Sequence, residues 1–162
     1  MNLSFRPARD ADLPALDAIR QAAFEPVFAS FREILGDELY ERVQGRADAE
    51  QAELLRSFFT EDSVWEVFVA ELDAEVVGFV AVRVDANTEV GEIGLNAVHP
   101  SHAGRGIGTA MYEFALDLMR RKGARAATVA TGGDPSHTPA RRAYEKVGFD
   151  RGIPSVWYCR LL

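Results

Sequence analysis

The chain has 162 residues, 48% of them apolar, which is enough to bury about 70% of the unfolded surface in one domain covering residues 1–162. Eighteen Lys and Arg against 25 Asp and Glu give a net charge of −7, which argues against nonspecific nucleic-acid binding because neutralising phosphates requires a basic face. A single cysteine, Cys159, excludes an internal disulfide, and no apolar run approaches the roughly 18 residues that would span a membrane. With no signal-type segment before Leu3, a cytoplasmic location is expected.

Leu3-Ser4-Phe5-Arg6 reads as an opening strand, after which Asp12 caps a helix carrying Leu13, Leu16, Ile19 and Phe24 near one face, with Pro26 as its break. Residues 27–60 are expected to be helical. Phe28, Phe31, Leu35, Leu39 and Val43 recur at helical spacing, interrupted at Gly36 and Gly45. Phe28, Phe31 and Tyr40 suit a core, with an acceptor pocket as the alternative. Residues 64–70 and 76–82 are rich in β-branched and aromatic residues, so they form an antiparallel hairpin turning at Asp73-Ala74-Glu75. Residues 92–98 form the next strand. Ile107, Ala110, Met111, Phe114, Ala115 and Leu118 make a helical stripe that closes at Gly123, and residues 126–131 return as a strand. Thr138 as N-cap and Pro139 at the first helical position start the last helix, which Gly148 stops. Residues 156–162 are expected to finish the sheet in a reduced closing hairpin, with Cys159 filling core.

Between the strand ending at Val98 and the helix beginning near Ile107 lie three alternating glycines, Gly104, Gly106 and Gly108. The first N–H groups of a helix lack intrahelical partners and carry partial positive charge, so a glycine loop feeding a helix N-terminus can receive a phosphate. A dinucleotide fingerprint fails because Thr109 and Met111 stand where its last glycine would be, and a nucleotide triphosphate loop fails for want of its Lys-Ser/Thr pair.

The frame Ala103-Gly104-Arg105-Gly106-Ile107-Gly108 resembles the pyrophosphate loop [QR]-x-x-G-x-[GA] of the GNAT superfamily of acetyl-CoA-dependent N-acetyltransferases, with Ala103 in the Gln/Arg position. Residues 91–98 are similar to the family's central strand. Residues 138–149 resemble its N-x-x-A-x-x-x-Y-x-x-x-G-F segment, with His137 in place of the asparagine. The resemblance implies an α/β fold, with a GNAT-like mixed, mostly antiparallel central sheet flanked by helices and the cofactor at a splay between the two central strands. It implies acetyl-CoA as co-substrate without a metal, transferring acetyl directly to a primary amine of a small molecule or peptide. A homodimer is compatible with it, and no nucleic-acid or membrane partner is expected. Cofactor contacts then fall on Asn96, Ala97, Val98, Gly104, Arg105, Gly106, Ile107, Gly108, Thr109 and His137. The alternative is a noncatalytic acyl-CoA-binding sensor or interaction domain.

Transfer needs a neutral amine, a polarised carbonyl and a proton for the departing thiolate. Tyr144 matches the family position that supplies a general acid, and phenols and thiols titrate in overlapping ranges; its alternative role is packing against the sheet. Glu92 stands where some members carry a carboxylate base, and a regular strand would put it on the same face as Asn96; its alternative is an ion pair. Asp134 and His137 lie in a strand-to-helix loop suited to ligand contact, proton transfer or turn formation. His99 and His102 flank the glycine loop, the backbone N–H of Val98 can polarise the carbonyl, and Arg105, Arg141 and Arg142 can pair with phosphates.

Overall fold

A continuous apolar run at residues 76–82, buried on both faces, makes the longest strand, and the rest of the sheet grows outward from it and its neighbour at residues 90–98. In the computed structural model, which describes residues 2–162, the order along the chain is β1 (Leu3–Pro7), α1 (Leu13–Leu35), α2 (Asp37–Gln44), α3 (Ala47–Ser57), β2 (Glu66–Leu72), β3 (Glu75–Asp85), β4 (Val90–Val98), α4 (Ile107–Arg121), β5 (Ala126–Val129) and α5 (Thr138–Lys146). The sheet order is β1-β2-β3-β4-β5, antiparallel except for the parallel pair β4–β5. The tight turn between β2 and β3 holds Asp73 and Ala74 at φ 50° and 71°, the mirror-image geometry that matches strand twist.

Each face of the sheet is covered by its own helices. α4 and α5 lie on one face, where Val80, Val82, Ile93, Met111, Ala115 and Met119 pack together. α1 and α3 cover the other through Leu16, Ile19, Leu55, Phe58, Val69 and Phe79. Arg20 is completely buried between α1 and α3, where its guanidinium donates to Asp17 (2.8 Å), Asp48 (2.8 Å) and Gln51 (3.0 Å). No described helix is long and apolar enough to cross a membrane.

Four expectations are corrected. Pro26 does not break α1, which runs through it; buried residues on both sides, Ile19 and Val27, hold the helix against the lost hydrogen bond. Asp12 sits at the α1 N-cap, but its carboxylate is taken by Arg6 (2.7 Å) and by the Arg9 N–H (2.7 Å) instead of the helix amides. Thr138 is the first residue inside α5, and its hydroxyl accepts from Arg141 (3.0 Å). Residues 150–162 form no strand, so Val156 to Leu162 do not close the sheet and Cys159 is half-buried in an otherwise exposed tail.

Candidate active site

β4 is longer than its parallel neighbour. Pairing with β5 ends at Ile93–Val129, which leaves residues 94–98 with one edge open. On the other edge the His99 N–H donates to the Val77 carbonyl (2.8 Å), so the alternate N–H of Val98 points into the opening. An extended ligand can therefore add to β4 as a strand would. This fits the amide-bearing arm of a coenzyme A thioester.

Beyond the opening, Gly104 and Gly106 adopt φ 75° and 78°, and the Gly106 carbonyl already accepts from Ala110 (3.0 Å). An L-side chain is strained at such angles, so glycine permits the chain to swing from β4 straight into α4. Residues 103–106 are exposed, no side chain caps α4, and nothing lies within 4 Å of where side chains at Gly104, Gly106 or Gly108 would begin. The first amides of α4 therefore face open space, as anion recognition requires.

β4 also carries a bulge opposite β3, between the pairs Val80–Asn96 and Val82–Ile93. A bulge inserts a residue and reverses which face later side chains take. Ile93 and Asn96 consequently both face α4 and α5, while a side chain at Gly94 would collide with the Trp65 ring on the other face. Asn96 meets two buried tyrosines there. The Tyr112 hydroxyl donates to Asn96 Oδ1 (2.8 Å), and Asn96 Nδ2 donates to the Gly94 carbonyl (2.9 Å) and to the Tyr144 hydroxyl oxygen (3.1 Å). Burial, then the neighbouring Tyr144, push the Tyr112 phenol far above the ordinary range, so it stays a donor. Tyr144 thus receives a hydrogen bond on its oxygen.

The same bulge separates Glu92 from Asn96, correcting the shared face that a regular strand would give. Glu92 lies across from Arg83, whose Nε donates to it (2.7 Å) while the guanidinium rests 4.7 Å from the Trp65 ring centre. The alternative of a cross-strand ion pair is what the structure presents.

Loop 130–137 is organised differently. Asp134 accepts from Ser30 Oγ of α1 (2.8 Å), the Ser136 N–H (3.2 Å) and hydroxyl, and His137 Nδ1 (2.5 Å). Burial alone would raise its pKa, but the bonds from Ser136, Ser30 and His137 outweigh it and hold the carboxyl well below the usual range. The His137 ring stacks on Phe31 at 6.0 Å, and a side chain at Gly132 would strike both ring and carboxylate. Arg141 donates to the carbonyls of Gly132 (2.6 Å) and Asp134 (2.8 Å), so it braces this loop. His99 accepts from the Ser101 N–H (3.2 Å), and His102 accepts from Arg105 (3.1 Å). Phe28 and Tyr40 border a cleft of about 670 Å³ with Glu25, Arg32 and Asp48.

Sequence reasoning missed Tyr112, Ser30 and Arg20. Tyr112 was accessible to it, standing at helical spacing from Ala115 and Met119 on the buried side of α4. Ser30 gave no local signal because its partner lies 104 residues away, and Arg20 read as an ordinary i,i+3 pair with Asp17 because the partners that bury it, Asp48 and Gln51, lie 28 and 31 residues away.

An open strand edge beside a helix N-terminus without a side-chain cap is an arrangement that can receive an extended, phosphorylated ligand. The chain belongs to the acetyltransferase (GNAT) family, whose model matches residues 28–149. It is similar to the mycothiol acetyltransferase of Thermomonospora curvata, at 30% identity over 94% of this chain, and spans 52% of that protein's length. Among solved structures it shares the fold of the ribosomal-protein-S18-alanine N-acetyltransferase of Escherichia coli, with a TM-score of 0.67, 18% identity and coverage of 94% and 80% of the two chains. A GNAT family acetyltransferase of Brucella melitensis in complex with acetyl-CoA superposes with a TM-score of 0.63, at 20% identity over 94% and 92% of the chains.

Proposed function

We propose that the chain transfers an acetyl group from acetyl-CoA to a primary amine of a small molecule or peptide, by direct attack of the amine nitrogen on the thioester. The observation that carries this reading is the Tyr112–Asn96–Tyr144 line beside the open edge of β4. The amides of residues 104–109 hold the pyrophosphate, and the backbone of Asn96, Ala97 and Val98 pairs with the pantetheine arm. The Val98 N–H donates to the thioester oxygen as charge develops on it. As the carbon–sulfur bond breaks, Tyr144 gives its proton to the departing sulfur, and the Asn96 bond stabilises the phenolate left behind. Glu92, on the opposite face of the sheet, takes the proton released by the amine through water, exchanging its Arg83 contact to do so. His137 Nε2 remains free for a ligand because Nδ1 is committed to Asp134. The acidic net charge of −7 favours a cationic acceptor.

The test is release of free thiol from acetyl-CoA across a panel of primary amines, with Tyr144→Phe alongside and cofactor affinity measured by calorimetry in both proteins. Amine-dependent release that falls about 10²–10³-fold in the variant, at unchanged affinity, supports transfer with Tyr144 as acid. Tight binding without turnover on the whole panel favours the noncatalytic sensor, and no binding removes both.

A further inference from the structure

On the sheet face covered by α1 and α3, Arg83 and Glu92 stand opposite each other across β3 and β4, and Trp65, one residue before β2, continues the row. The Trp65 ring is held from three directions. Phe58 tilts against it at 5.3 Å, the Arg83 guanidinium rests on it, and its far edge is seated on Gly94, where a side chain would begin 2.5 Å away. Gly94 is the first residue past the last β4–β5 pair, so this platform reaches from the ion pair to the opening.

The pair itself is lopsided. Arg83 Nε and Nη2 both donate to Glu92 Oε2, and among the described residues neither Arg83 Nη1 nor Glu92 Oε1 has a hydrogen bond. A guanidinium presents parallel donors that match a carboxylate, and stacking on Trp65 fixes the plane in which Nη1 points. This half-exposed site therefore offers an oxygen to an amine and a rigid donor to an anion, side by side. When Glu92 takes up the amine's proton its negative charge disappears, and Arg83 is left as a cation without a counter-charge. A purely cationic acceptor would leave it so, whereas an acceptor with its own carboxylate supplies the missing charge. The net charge of −7 acts on encounter from a distance, but the fixed charge that meets the bound molecule is Arg83.

We infer that the acceptor is an amino carboxylate, whose amine faces Glu92 and whose carboxylate binds the Arg83 guanidinium. The inference rests on acetyl transfer with Glu92 as proton acceptor, and it narrows the primary amine to one class. Its reach follows from hydrogen-bond lengths. One bridging water sets the amine nitrogen about 5 Å from Glu92, and a carboxylate on the neighbouring Arg83 lies at a similar remove, which about three to five saturated carbons span. An ω-amino acid has that spacing, as does the side-chain amine of a free basic amino acid.

The test is thiol release from acetyl-CoA with glycine, β-alanine, 4-aminobutyrate, 5-aminovalerate and 6-aminohexanoate, each beside its own carboxamide, which keeps the shape and loses only the charge. The original protein, Arg83→Gln and Arg83→Lys are compared, with thermal unfolding as the check that each variant is folded. The expected carboxylate-to-carboxamide ratio of kcat/KM is about 10 or more for the three longest compounds and near one for glycine. It should fall to near one in Arg83→Gln and recover in part in Arg83→Lys. Any effect of these substitutions on Glu92 enters both members of a pair and cancels in the ratio. A ratio near one throughout, or one indifferent to Arg83→Gln, overturns the inference and leaves acetyl transfer standing. Thiol release with no amine at all removes the transfer reading and this inference together.

Discussion

Two connections leave the sheet and enter a helix on the same side, and they are built in opposite ways. The one from β4 to α4, residues 99–106, is exposed at residues 103–106, passes through two left-handed glycines and leaves its helix N-cap without a side-chain cap. The one from β5 to α5, residues 130–137, is closed on itself: Asp134, Ser136, His137 and Arg141 satisfy one another, and Ser30 fastens the loop to α1. Identical topology therefore does not confer identical chemistry. A ligand anion is attracted where donors are left over, and the second loop has already supplied its own anion, the Asp134 carboxylate.

The largest effect is expected from Gly106→Val, which forces a β-branched residue into a left-handed conformation and closes the opening of α4. Acetyl-CoA affinity should fall at least about 100-fold, or about 2.7 kcal/mol, in calorimetry. If it does not, the exposed loop is no anion site and the contrast collapses.

Asp134→Ala should cost about 2 kcal/mol in urea unfolding, because Ser30, Ser136 and His137 lose a part-buried acceptor, while cofactor affinity falls much less than in Gly106→Val. Its pH dependence has a definite sign. With the native carboxyl held below its ordinary value, the unfolded chain takes up the proton first; the contribution is complete above about pH 4 and disappears as pH falls further through the native pKa. The gap between the original protein and Asp134→Ala should therefore be constant from pH 7 to 5 and narrow in acid.

Tyr112→Phe sharpens the comparison from within the open side. It removes the donor that orients the Asn96 amide, so kcat should drop about ten-fold, or about 1.4 kcal/mol, with cofactor affinity unchanged. The smallest effect on stability belongs to Glu92→Gln. Its exposed pairing with Arg83 contributes at most about 0.5 kcal/mol to stability, so a much larger loss of kcat than of stability would mark Glu92 as the proton acceptor.

Much of this architecture is legible in short windows. The hairpin turn at Asp73, the strand–glycine–helix passage at residues 98–107 and the stop at Gly148 all follow from local backbone preference and apolar period, which act over a few residues. Tyr144 was legible as a site residue only through its family pattern. Nothing near it in sequence announces Asn96, which is 48 residues away.

By itself the sequence determined the order of the elements, the open glycine loop and the class of ligand that loop suits, because those depend on torsion preferences and on amides that no neighbour can cap. Only the tertiary structure decided the rest. The bulge in β4 answers to pairing with β3, and it alone puts Glu92 and Asn96 on opposite faces. The tail at residues 156–162 has the local marks of a strand, yet a strand exists only where an edge accepts it, and that is a property of the assembled sheet.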